Sequence, residues 1–96
     1  MYGTVARLRM KPGAQAQIEE MRRTMEAARV PGFVATYMYR MDADPNEYYM
    51  AVIFTSKEAY QANANSPEQH ARFQQMMQML EREPEWHDGE IVPMQA

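Results

Sequence analysis

The chain has 96 residues, a net charge of −3, no cysteine, and 46% hydrophobic against 24% charged residues. That is the length of one domain spanning 1–96, able to bury a modest core. Disulfides, thiolate metal sites and cysteine nucleophiles are excluded, interspersed charges argue against a nucleic-acid groove, and no apolar run reaches membrane-span length. The opening Met1-Tyr2-Gly3-Thr4 leads into a strand pattern and not into a signal peptide, which with the absence of cysteine predicts a cytoplasmic protein. Eleven methionines are scattered over every predicted element and read as core filler or pocket lining, not as copper ligands.

Tyr2–Met10 reads as a first strand, with Tyr2, Thr4, Ala6, Leu8 and Met10 on one face and Val5, Arg7 and Arg9 on a wetter one. Lys11-Pro12-Gly13 ends it. Ala14, Ile18, Met21, Met25 and Ala28 then repeat at helical intervals, predicting a helix over Ala14–Arg29. Val30-Pro31-Gly32 stops that helix, and Phe33–Met41 is a β-branched, aromatic second strand on which Phe33, Ala35, Tyr37 and Tyr39 share a face. The turn Asp42–Glu47 joins it to a third strand, Tyr48–Thr55, as an antiparallel hairpin. In that third strand Tyr48, Met50, Val52 and Phe54 face one way and Tyr49, Ala51, Ile53 and Thr55 the other. Neither face is charged, so both must be covered.

Ser56 caps a short helix through Ala62. Ser66-Pro67-Glu68-Gln69 opens another, with Ser66 as N-cap, Pro67 in the first turn and Gln69 closing a capping box. This helix is predicted to run to about Glu83 and to bury Phe73, Met76, Met77 and Leu80. Trp86–Met94 makes a last strand with a kink at Asp88-Gly89. The order β-α-β-β-α-α-β predicts an α+β, ferredoxin-like fold with a four-stranded antiparallel sheet and helices on one face. The uncovered apolar face predicts a homodimer through the open sheet.

The Pro31-Gly32-Phe33 junction, the Phe54-x-Ser56-x-x-x-Tyr60 crossing, Ser66-Pro67 opening a helix and the ending Pro84–Val92 resemble the antibiotic biosynthesis monooxygenase family. The resemblance spans nearly the whole chain. It implies a dimeric α+β barrel and, in characterised members, cofactor-independent oxygenation of aromatic polyketides or quinols held between sheet and helices. Members that rely on polar groups carry an Asn and a Trp on the third strand and a Tyr after it. Here those positions are Met50, Phe54 and Tyr60, and an Arg of the third helix corresponds to Arg72. Haem-degrading relatives use an Asn, the same Trp and an iron-binding His, which here become Ala6, Phe54 and Phe73, all apolar. The resemblance therefore implies an oxygenase without haem, metal or other cofactor.

Cofactor-free oxygenation needs a base and donors that steady an anion in a dry pocket. His70 is the side-chain type that takes up protons near neutrality, although its place one turn after Ser66 also fits a surface histidine. Tyr60 is either a buried plug or the group that orients a substrate. Tyr60, His70 and Arg72 are the catalytic candidates, and Tyr37, Phe54, Phe73 and Trp86 the candidates for holding an aromatic substrate, with Tyr37 and Tyr39 lining either the cavity or the dimer seam. His87 and Asp88 are adjacent on a strand and point apart, so that pair reads as turn chemistry. Two widely spaced histidines make no metal motif. The alternative is a non-catalytic dimeric module that binds an apolar small molecule or serves a structural role.

Overall fold

A computed structural model describes residues 1–95. In chain order the elements are β1 (Tyr2–Arg9), α1 (Gln15–Ala28), β2 (Phe33–Arg40), β3 (Glu47–Phe54), α2 (Lys57–Ala64), α3 (Pro67–Met77) and β4 (Glu85–Glu90). The strands form one antiparallel sheet in the order β2-β3-β1-β4, the α+β ferredoxin-like arrangement. Among the described residues, no helix is long and apolar enough to cross a membrane.

Local chemistry explains the helix starts. Ser56 Oγ accepts the Ala59 N–H and Ser66 Oγ accepts the Gln69 N–H, each at 3.1 Å, and Pro67 opens α3. The capping box is only half formed, because Gln69 Oε1 instead accepts from Arg72 Nε. The third helix ends at Met77, short of the expected Glu83. Beyond it the backbone turns to pair with the end of β1: Lys11 N–H donates to Met79 O, Glu81 N–H donates to Arg9 O, and Met10 bridges Leu80. The last strand likewise stops at Glu90 and not at Met94. Its partner β1 runs out there, where Tyr2 faces Glu90 and Ile91 N–H reaches Met1 O.

Strand alternation sends Ala6, Leu8, Tyr48 and Met50 to the helix side, where they pack with Met10, Met76, Met79 and Leu80 as the core. This fills one end of the layer between sheet and helices. The end marked by Thr4, Val52 and Phe54 is left hollow. On the opposite side of the sheet Val5, Tyr37, Tyr39, Tyr49, Ala51 and Ile53 form a contiguous face with no helix over it. A register shift between Phe33 and Ala35 decides the position of Tyr37. The extra residue puts Phe33 on the helix side while Ala35, Tyr37 and Tyr39 go to the open side, so the expectation that these four share a face fails at the bulge.

A charge cluster closes the β2–β3 hairpin. Glu47, only 8% exposed, accepts from Arg7 Nε and from Arg9 Nη1, and Arg9 also pairs with Asp44 and Glu81. Asp44 Oδ1 accepts the Asn46 N–H at 3.0 Å, fixing the turn. Hydrogen bonds from Arg7 hold the Glu47 carboxyl below its ordinary range, and those from Arg9 do the same for Asp44. Carboxyls depressed in the folded state add stability above their unfolded values of about 4 and lose it as pH falls through the folded ones. Thermal unfolding at a series of pH values is expected to show the midpoint dropping below pH about 4. Glu47→Gln should make that acid fall shallower; an unchanged slope would remove Glu47 from the cluster's role.

Candidate active site

The hollow end of the sandwich is a cavity of about 400 Å3 between the sheet and all three helices. Its walls are apolar and sulfur-rich: Met21 and Met25 come from α1, Met50, Val52 and Phe54 from β3, Phe73 and Met76 from α3. Two aromatic groups frame it. The Tyr60 ring lies 5.3 Å from Tyr2 and 5.6 Å from Phe54, which in turn meets Phe33 edge-on at 5.7 Å. Across the cavity Phe73 meets Trp86 at 6.1 Å. Edge-to-face contacts of this kind are favourable and hold the rings against one another.

Polar groups enter at two places. On one side Tyr60 Oη donates to Asp88 Oδ1 at 2.9 Å, with Thr4 beside them on β1. Burial, reinforced by the Asp88 carboxylate, pushes the Tyr60 phenol up to about 12. The Thr4 hydroxyl lies near enough to counter that rise slightly, yet it falls outside hydrogen-bond geometry with any described residue. Tyr60 therefore stays protonated at neutral pH and acts as a hydrogen-bonding phenol, not as a base. On the other side α3 supplies His70 and Arg72. Arg72 is steadied by Gln69 Oε1 at 3.1 Å and Asn63 Oδ1 at 3.2 Å, which ties α3 to α2.

Of the residues singled out in the sequence, Tyr60, His70, Arg72, Phe54, Phe73 and Trp86 all line this cavity. Tyr37 does not. It stands on the open sheet face, 57% exposed, because the bulge after Phe33 turns it away. His87 is also on that face, opposite Val5, leaving His70 as the imidazole in the cavity wall. Thr4 and Asp88 are the site residues that sequence reasoning passed over. The available signal was the two-residue spacing of Trp86 and Asp88, which puts both on one face of a strand. Ala6 is fully buried in the core, and Met50, Phe54 and Phe73 line the wall as apolar groups. Among the described residues, no three His, Asp or Glu side chains gather into a metal-ligating group.

Sheet order, helix placement and the cavity under the helices define a ferredoxin-like α+β domain with an internal hollow of small-molecule size. The family model for antibiotic biosynthesis monooxygenase matches residues 1–76, and the chain belongs to that family. No curated protein sequence matches it. Among similar solved structures is a mutant of SnoaB, a cofactor-independent oxygenase from Streptomyces nogalater, with TM-score 0.77 and 22% identity over 99% of this chain and 94% of that one. Another, an antibiotic biosynthesis monooxygenase, has TM-score 0.74 and 14% identity over 97% of this chain and 100% of that one. A conserved protein from Methanosarcina mazei Go1 has TM-score 0.76 and 16% identity, covering 92% and 89% respectively. At these identities the likeness to solved structures establishes the shared fold.

Proposed function

We propose that the protein is a cofactor-independent monooxygenase acting on an aromatic, quinol-like or polyketide-derived small molecule bound in this cavity. The observation that carries the reading is that Tyr60, Arg72 and, at an exposed position, His70 all line one largely apolar, aromatic-walled space of about 400 Å3. Family membership and the fold shared with a cofactor-independent oxygenase support it. In the reaction we envisage, His70 takes a proton from an activated C–H of the substrate and Arg72 steadies the anion formed. The electron-rich anion reduces dioxygen directly. For an anthrone-like methylene, CH2 plus O2 gives C=O plus H2O, so the substrate supplies all four electrons that reduce O2 and one oxygen atom enters the product.

Tyr60 orients the bound ring by its aromatic edge and by its phenol oxygen, which accepts from the substrate while its own hydrogen stays on Asp88 Oδ1. Tyr60→Phe is expected to fold normally and to lower kcat/KM about tenfold, the loss of one productive hydrogen bond. Unchanged turnover would remove Tyr60 from the mechanism. The reading itself is tested by oxygen uptake with metal-stripped protein over hydroquinones and anthrone-like aromatics, against heat-denatured protein. Chelator-insensitive uptake with quinone formation is expected; none across the panel would overturn it. A second reading, a non-catalytic binding module, is favoured by one observation: Met50 and Phe54 present no donor to the cavity. Tight binding of the same aromatics without uptake would establish it.

The same reading includes a homodimer. The open face carries Val5 of β1 at 49% and Tyr37 and Tyr39 of β2 at 57% and 61% exposure, with Ala51 and Tyr49 of β3 between them. A second copy applied by a two-fold axis would cover that apolar surface and complete an α+β barrel.

A further inference from the structure

Thr4 and Asp88 stand directly opposite each other in the pairing of β1 with β4, both on the helix side and both lining the cavity. Thr4 is 4% exposed, and its hydroxyl has no hydrogen-bond partner among the described residues. A hydroxyl buried in that condition is costly, and such groups mark places where a further polar atom belongs. Asp88, by contrast, is exposed at the mouth of the cavity. Its Oδ1 accepts from Tyr60, while no arginine, lysine or histidine pairs with the carboxylate among the described residues. The pair thus offers one uncommitted hydroxyl and one uncommitted carboxylate oxygen on neighbouring strands, at the edge of an otherwise apolar wall.

We infer that Thr4 and Asp88 together select ligands carrying a hydroxyl on the aromatic ring. A hydroxyl both donates and accepts: its O–H donates to Asp88 Oδ2 while its oxygen accepts from Thr4 Oγ1–H. A methyl ether or a ketone of the same outline has no proton to give, and would set a lone pair against the carboxylate. Discrimination comes from that mismatch, because a site built around a hydroxyl is left with unpaired polar groups by an analogue lacking one. A purely structural role for Asp88, tying α2 to β4 through Tyr60, accounts for Oδ1 but leaves the buried Thr4 hydroxyl without a partner, while Oδ2, on an exposed residue, is open to solvent or to a guest. The high proton affinity of Tyr60 keeps its own hydrogen committed to Oδ1, so Oδ2 remains the acceptor for a guest. This inference rests on the cavity being the substrate site, as proposed above, and gives Asp88 and Thr4 the role of specificity residues and not of bases.

The test is binding without turnover: anaerobic titration calorimetry of the full chain with 2-naphthol and 2-methoxynaphthalene. Apolar walls alone would favour the more hydrophobic ether. The naphthol is expected to bind at least about tenfold tighter. Asp88→Asn retains a carbonyl oxygen for Tyr60 but replaces Oδ2 with an amide donor. It should melt like the parent and lose or reverse the naphthol preference. Thr4→Val, of nearly the same shape, should weaken naphthol binding and leave the ether unaffected. Equal affinity for the two probes, no binding of either, or a preference that survives Asp88→Asn would each overturn the inference. Absence of oxygen uptake with the preference intact would defeat the oxygenase reading alone. Uptake with no preference would defeat this inference alone.

Discussion

Gly32→Ala is expected to lower the thermal midpoint by at least about 10 °C. Two independent penalties meet at this position. Gly32 sits at φ +77, where an L-residue pays about 1–2 kcal/mol. Its added Cβ would also stand 2.5 Å from the Ala59 Cβ of α2, an overlap of a kind that costs about 1–3 kcal/mol in packed structures. Together these approach a substantial share of the roughly 5–15 kcal/mol that holds a domain folded. Gly13 is the internal control. It has φ +81 but nothing within 4 Å of the added methyl, so Gly13→Ala should lose only the conformational part. Calorimetric melts of the two variants check this, and equal losses would show that the contact with α2 does not matter. Because Ala59 adjoins Tyr60 and Gly32 O holds the Thr55 N–H at 2.8 Å, displacement of α2 should also disturb the cavity wall.

Ala51→Glu is expected to convert the proposed homodimer into a monomer. Ala51 is the middle of the open face, opposite Val5 on one neighbour and Tyr37 on the other. In a two-fold assembly over this face, a carboxylate there would enter an apolar interface without a partner, and in two copies. Desolvating each charge costs several kcal/mol, more than a modest dimer interface can supply. Sedimentation velocity at micromolar protein should show the parent near twice the chain mass and the variant near one. The variant should also lose the dependence of melting on protein concentration that linked dimers show. Gln74→Glu, the same charge placed on an exposed position of α3, should leave the assembly intact. A monomeric parent would contradict the proposed dimer.

Much of the architecture was legible because the sequence signals were local and strong. Two-residue alternation in β1 and β3, the Ser56 and Ser66 caps, and the Pro-Gly stops each act over a few residues, and each reappears in the structure. The misreadings came from long-range pairing. The bulge after Phe33 shifts Tyr37 to the other side of the sheet, and nothing in Phe-Val-Ala-Thr-Tyr encodes where the neighbour strand will slip. The end of α3 is set by backbone bonds to Lys11 and Arg9, distant in sequence. The same holds within the site. Tyr60, His70 and Arg72 could be named from residue type and family pattern. Asp88 was legible only as sharing a strand face with Trp86, because its role depends on β4 lying beside β1 opposite Thr4, and on α2 bringing Tyr60 within 2.9 Å.

The most direct test of the oxygenase reading is to follow the oxygen atom. Metal-stripped protein would be given an anthrone-like substrate under 18O2 in ordinary water, and the quinone analysed by mass spectrometry at early times. Incorporation of one 18O per product, with the second atom leaving as water and no effect of chelator, is the expected result. Product carrying only solvent oxygen, or formed at the same rate with denatured protein, would contradict oxygenation in this cavity.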